Sequence, residues 1–154
     1  GTQSTEVFMS DTQAASTADL VARRHVEHEH NALGLAPNFT VNNLSKSIQF
    51  YTEGLDFEVR EKHESDGQLR FVMLKSGAAH LGLGQDDFAK GRDRVKGVGL
   101  RIWITTLQDV HELAERAKAA GITLDSEPEE LPWGGVAFAV TDPDGFKVSI
   151  ASGG

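Results

Sequence analysis

At 154 residues, with 39% hydrophobic and 25% charged residues, the chain has the size and make-up of an ordinary soluble protein: one domain, or two small repeated modules sharing a core. Its net charge of −8 argues against nucleic acid or an anionic membrane as partner, because phosphate recognition needs clustered Lys and Arg, and it favours a cationic small ligand. The absence of cysteine excludes a disulfide, a thiol nucleophile and a thiolate zinc site; no apolar run approaches the roughly 18–20 residues that cross a bilayer, and no secretory signal is visible, so a cytoplasmic location is expected.

In chain order, residues up to about Thr17 are rich in Ser, Thr, Gln and Ala and lack an apolar period, which predicts a loose tail. Helix formers dominate from Ala18 to Leu33, and Gly34 reads as the stop, so residues 1–34 read as a tail with an appended helix ahead of a domain over residues 35–154. Pro37 to Val41 alternates as a strand. Asn43 then caps a helix whose Leu44, Ile48 and Tyr51 recur at helical spacing, with Gly54 as its left-handed stop. Extended runs follow at Phe57 to His63, Gln68 to Lys75 and Ala79 to Leu83, separated by Ser65-Asp66-Gly67 and Ser76-Gly77.

After a polar linker over Gln85 to Lys96, with flex points at Gly91 and Gly97, the pattern restarts. Leu100, Ile102 and Ile104 alternate as a strand; Thr106 and Asp109 open a helix bearing Leu107, Val110, Leu113, Ala114 and Ala117, which Gly121 ends. Further extended segments are expected at Ile122 to Leu124, Val136 to Val140 and Phe146 to Ile150, while the acids Glu127, Glu129 and Glu130 read as an exposed loop. Asp142-Pro143-Asp144-Gly145 is a strong turn. The order strand, helix, three strands therefore occurs twice, over about 36–84 and 98–151. The fold class is α+β: two tandem βαβββ modules forming a curved mixed sheet, a half-barrel around a cavity, with an N-terminal helical extension.

The segments Asn43 to Phe57, with Phe50-Tyr51 and Gly54-Leu55-Asp56-Phe57, and Thr141 to Ile150, with Asp142-Pro143-Asp144-Gly145, occupy matching places in the two halves. With Trp133-Gly134 they resemble the vicinal-oxygen-chelate superfamily, which includes glyoxalase I, bleomycin-resistance proteins, fosfomycin-modifying enzymes and extradiol dioxygenases. The resemblance implies a site with metal ligands on the first and last strands of each module. Counting from the motifs puts those positions on Ala36, Gly82, Gly99 and Ser149. Three of them lack a donor side chain and the fourth offers only a hydroxyl, so the resemblance implies a member without metal or other cofactor, closest to the bleomycin-resistance branch.

If the apolar strand faces cover the helices, Asn38, Thr40, His80, Arg101, Trp103, Lys147 and Ser149 face the cavity, which suits a semi-polar organic ligand. The alternative is a solvated sheet face. Trp103 lies on the polar phase of its strand, where so large an apolar surface needs a ligand or a module contact; Trp133 walls the cavity or lids a helix. His80 is a candidate acid or base, or a hydrogen-bonded histidine at a strand start. Arg101 either grips a carboxylate or phosphate or pairs with an acid of the chain. His25, His28 and His30 with Glu27 and Glu29 form either a surface metal site or a solvated helix face. The expected function is small-molecule binding by an acidic homodimer that sequesters an antibiotic or metabolite. A glyoxalase-like lyase or isomerase is the alternative, and an accessory module docking through its N-terminal helix is a third.

Overall fold

The computed structural model describes residues 16–18 and 32–153. The appended helix expected over Ala18 to Leu33 falls mostly outside them, and the His25, His28 and His30 cluster wholly so.

Phe39 and Val41 turn inward and Asn38 and Thr40 outward along β1 (Asn38–Val41), as period-two alternation requires. Asn43 caps α1 (Leu44–Gln49), its Oδ1 accepting the Lys46 N–H at 3.1 Å. The helix widens into a single π turn over Phe50–Gly54. Three strands follow, β2 (Glu58–Ser65), β3 (Gln68–Ser76) and β4 (Ala79–Gln85), in a sheet ordered β1-β4-β3-β2 with β1 parallel to β4. The second module repeats the plan with β5 (Arg101–Thr106), α2 (Val110–Ala119), β6 (Ser126–Glu130), β7 (Val136–Thr141) and β8 (Lys147–Ser152), ordered β5-β8-β7-β6 with β5 parallel to β8. The α+β architecture of two βαβββ modules is as expected. Among the described residues eight strands form two separate four-stranded sheets that do not close into a barrel.

Several local expectations are corrected. Gly54 is not left-handed; Asp56, at φ 63°, makes that turn instead. A side chain on Gly54 would collide with Ile122 Cδ1, so this glycine serves close approach between modules rather than helix termination. Thr106 ends β5 and Asp109 caps α2, accepting the His111 and Glu112 N–H groups at 2.9 and 3.2 Å, so Leu107 is fully exposed and outside the helix. Ile122 and Leu124 pack on the core without joining a strand, whereas Ser126–Glu130, read as a loop, pairs with β7 as an outer edge strand. Gly121, at φ 91°, does end α2.

One core serves both modules. Val41, Tyr51, Val72 and Leu83 from the first half share it with Leu113, Phe138, Val140 and Ile150 from the second. The seam is polar as well as apolar, and it joins the two signature segments. Tyr51 donates to Asp142 Oδ2 at 2.8 Å, and Asp142 Oδ1 accepts from the Asp144 and Phe146 N–H groups at 2.9 Å each. Asn42 N–H and Ser47 Oγ donate to the Asp144 carboxylate at 2.9 and 3.4 Å, and Phe39 and Phe146 stack with ring centroids 3.9 Å apart and planes within 3°. Burial pushes both Tyr51 and Asp142 upward; the neighbouring Asp142 charge raises Tyr51 further, while the donors around Asp142 partly offset its shift.

Arg116 reaches across from α2 to the carbonyls of Glu53 and Thr52 at 2.9 and 3.1 Å, satisfying the end of the π turn. The linker between modules is pinned rather than loose. Buried Lys96 donates to Asp86 Oδ2 at 2.7 Å and to Asn42 Oδ1 at 2.5 Å, and its contact with Asp86 leads the effects that hold that carboxyl below its ordinary value.

Candidate functional site

Strand register sorts the expected site residues onto two faces. On the second sheet, Arg101 pairs with Lys147, Trp103 with Ser149 and Thr105 with Ala151 across the parallel β5–β8 contact, so these side chains share one face. The β7 partners Thr141, Ala139 and Ala137 extend the same three rows, and Glu129 on β6 completes the last of them. Small side chains thus form a floor beside one tryptophan.

Trp133 comes to that face from the β6–β7 loop. Leu131 N–H donates to Gly135 O at 2.9 Å and Gly134 N–H returns to Leu131 O at 3.0 Å, a tight loop that Gly134 and Gly135 permit with φ of 102° and 86°. The loop carries the Trp133 ring to within 6.2 Å of Trp103, centroid to centroid, with the planes inclined at 45°. Trp133 therefore meets the other tryptophan and is not a lid on a helix. Trp103 is 47% exposed and Trp133 71%, too much for either ring to count as core.

Arg101 turns along the strand so that its Nη1 donates to Ser149 Oγ at 2.9 Å, covering an otherwise buried serine; Lys147 Nζ donates to Thr141 Oγ1 at 3.2 Å. Beside them lies an open cavity of about 450 Å³ between Lys96, the Gly97–Arg101 segment, Gly145 and Lys147.

Asn38, Thr40 and His80 lie on the first sheet instead. Pairing of Asn38 with Gly82, Thr40 with Gly84 and His80 with Lys75 puts them on one face with Met73 and Phe71. Asn38 Nδ2 folds back on Ala36 O at 3.0 Å. Among the described residues no hydrogen bond, ion pair or ring contact links this group to Arg101, Trp103, Trp133, Lys147 and Ser149. The structure brings five of the eight candidates together and leaves three on the other sheet. His80 has Lys75 as its cross-strand neighbour, and that lysine is paired with Glu58 at 3.2 Å.

The sequence profile described as Glyoxalase/Bleomycin resistance protein/Dioxygenase superfamily matches residues 24–150, and the chain belongs to that superfamily. Its fold is similar to a member of the same superfamily from Sphaerobacter thermophilus DSM 20745, with TM-score 0.61 and 25% identity over 79% of this chain and 98% of that one. TioX from Micromonospora sp. ML1 superposes with TM-score 0.64 at 16% identity, covering 77% of this chain and 97% of its own. A lactoylglutathione lyase from Agrobacterium tumefaciens gives 0.57 at 18% identity, covering 77% and 92%. At such identities the last two likenesses concern the fold alone. No curated protein matches the chain.

The metal that the superfamily resemblance implies does not fit the residues present. A Cβ at Gly82 would run into Asn38 Oδ1 and stand 2.8 Å from Phe71 Cζ, so the amide and the ring occupy the room a ligating side chain would need. Gly99 faces open space but at φ 71°, a backbone that side-chain-bearing residues rarely adopt. The Ser149 hydroxyl already accepts from Arg101, a fixed cation beside the one remaining oxygen donor. Among the described residues no three His, Asp or Glu side chains converge as metal ligands. Gly82→Glu is therefore expected to destabilise the fold by about 1–3 kcal/mol through overpacking. Thermal melts of that variant with and without added zinc should superimpose; a zinc-dependent rise specific to the variant would show that the corner can still be rebuilt.

Proposed function

We propose that this protein is a metal-free binder of small, flat organic molecules, of the bleomycin-resistance type, acting by sequestration and as a homodimer. The observation that carries the proposal is the Trp103–Trp133 pair, two inclined indoles standing exposed over the floor of Ala137, Ala139, Ser149 and Ala151. Neither ring face is satisfied by the other, and exposed aromatic surface of this size on a polar sheet face favours a stacking partner. Fold similarity does not choose between binding and chemistry, since one scaffold carries both. The donor set supports binding over the lyase or isomerase alternative.

Homodimer formation is supported by the exposed apolar side chains of Leu35, Val95, Val98, Leu100 and Leu107, which leave surface that a second copy would cover. Light scattering is expected to give twice the mass of the chain.

Titration with a panel of flat organic compounds, antibiotics included, is expected to quench the protein's tryptophan emission and saturate. Trp103→Ala and Trp133→Ala should each weaken the tightest ligand by at least about tenfold, the scale of losing one aromatic anchor. Silence across the panel, or binding indifferent to both substitutions, would overturn the assignment.

A further inference from the structure

We infer that the Arg101–Lys147 corner binds the carboxylate of a planar organic acid whose ring lies on Trp103 and Trp133. This rests on the binding role proposed above and fixes the chemical class of its ligand. Arg101 and Lys147 are register partners on adjacent parallel strands, two like charges held side by side on one face. Like charges set side by side on a sheet face are mildly destabilising, and an anion lying between or over the two would relieve that.

The described residues offer them none directly. Although acidic residues outnumber basic ones 23 to 15, no ion pair among the described residues involves either cation. Their hydrogen-bond partners are hydroxyls, Ser149 for Arg101 and Thr141 for Lys147. Asp125 approaches Lys147 only through Thr141, whose hydroxyl it engages at 2.5 Å. Glu129 shares the face but lies two rows away, about 13 Å along the strands at the usual rise.

The serine contact pins one guanidinium nitrogen and leaves the other donors of the planar fork open, the geometry that matches a carboxylate. Lys96, the third cation at the adjoining cavity, is already consumed by Asp86 and Asn42. The charge presented to a ligand is therefore that of Arg101 and Lys147. The overall charge of −8 acts at long range and is screened within about 8 Å at physiological salt, so contact charges govern which ligand is held. Trp103 stands two residues from Arg101 on the same face, which places an anionic group and a flat ring in one molecule within reach together.

The test uses three matched probes on the full chain: naphthalene-2-carboxylate, naphthalene-2-carboxamide and 2-naphthylmethylammonium, followed by calorimetry. The carboxylate is expected to bind at least about tenfold tighter than the amide, and its advantage should shrink with added salt. In Arg101→Gln the preference should fall to within about twofold; Lys147→Gln, at an exposed side chain, should reduce it by a smaller factor. Near-UV circular dichroism verifies that both variants keep the native fold. Equal binding of acid and amide, or preference for the ammonium, would overturn the carboxylate assignment while leaving the binding role standing. If none of the three binds, with or without substitution, both the assignment and the binding role fail.

Discussion

Replacing Tyr51 with Phe is expected to lower stability by about 2–3 kcal/mol, roughly 5–10 °C in thermal midpoint for a chain of this size. Among the described residues the lost hydroxyl is the sole side-chain donor to Asp142 Oδ2, and both groups are buried, so the variant leaves a carboxylate oxygen unsatisfied in a poorly solvated place. Asp142→Asn should cost less, because the amide oxygen can keep the Asp144 and Phe146 N–H groups while its NH₂ donates to the tyrosine oxygen. With Asp142→Asn already in place, Tyr51→Phe should then cost markedly less than alone, a coupling that a double-mutant cycle measures directly.

The pH dependence of this pair has a definite sign. Asp142 has a folded value above its ordinary 3.8, so its ionisation opposes folding: its contribution is most favourable below 3.8 and declines as pH rises through the folded value. The tyrosine hydroxyl matters most when the carboxylate is charged. The stability gap between wild type and Tyr51→Phe should therefore narrow as pH falls through that window, and a gap that widens on acidification would contradict the account.

Phe146→Ala is expected to cost about 3–5 kcal/mol, the cost of removing a buried aromatic side chain and leaving a cavity. Phe146 is buried, and its ring lies flat on Phe39 at 3.9 Å, so the loss falls on the seam between modules rather than within one of them. Phe146→Leu retains most of the volume but not the stack and should cost about 1–2 kcal/mol. Urea denaturation is the measurement. A single cooperative transition is expected for wild type, while loss of less than about 1 kcal/mol in the alanine variant would mean that the two halves do not depend on each other as the shared core implies.

Most of the fold was legible because its signals are local. Asn43 as a cap, the alternation of Phe39 and Val41 or of Ile102 and Ile104, and the turn at Asp142 to Gly145 act within a few residues, and duplication made each half corroborate the other. What was hidden depends on distant partners. Gly54 looks like a helix stop until Ile122, from the other module, is found against it. Ser126–Glu130 has no apolar alternation because it is an exposed edge, so nothing in its composition distinguishes strand from loop. The link between Tyr51 and Asp142 spans 91 positions. Its trace was the co-occurrence of the two signature segments, which acquires a physical cause once the hydroxyl is seen to reach the carboxylate.

The candidate site divides in the same way. Trp103 was legible as an apolar residue on a polar phase, and register sets it on one face with Arg101, Lys147 and Ser149. Trp133 reads from the sequence as a second wall of the same cleft; its actual approach to Trp103 is set by the path of the 131–135 loop, which turns on two consecutive left-handed glycines. Asn38, Thr40 and His80 stand on the first sheet and the other five candidates on or beside the second, a division that strand alternation within one module does not reveal.

Each sheet has two edge strands, β1 and β2 in the first and β5 and β6 in the second. β2 presents Glu58, Arg60, Glu61, Lys62 and Glu64, while β6 combines Glu127, Glu129 and Glu130 with Pro128, which has no N–H to offer a neighbour. Unpaired backbone at these rims would otherwise template strand-by-strand growth into fibrils. Charged side chains on both strands and the missing donor on β6 disfavour such growth at these two of the four open margins.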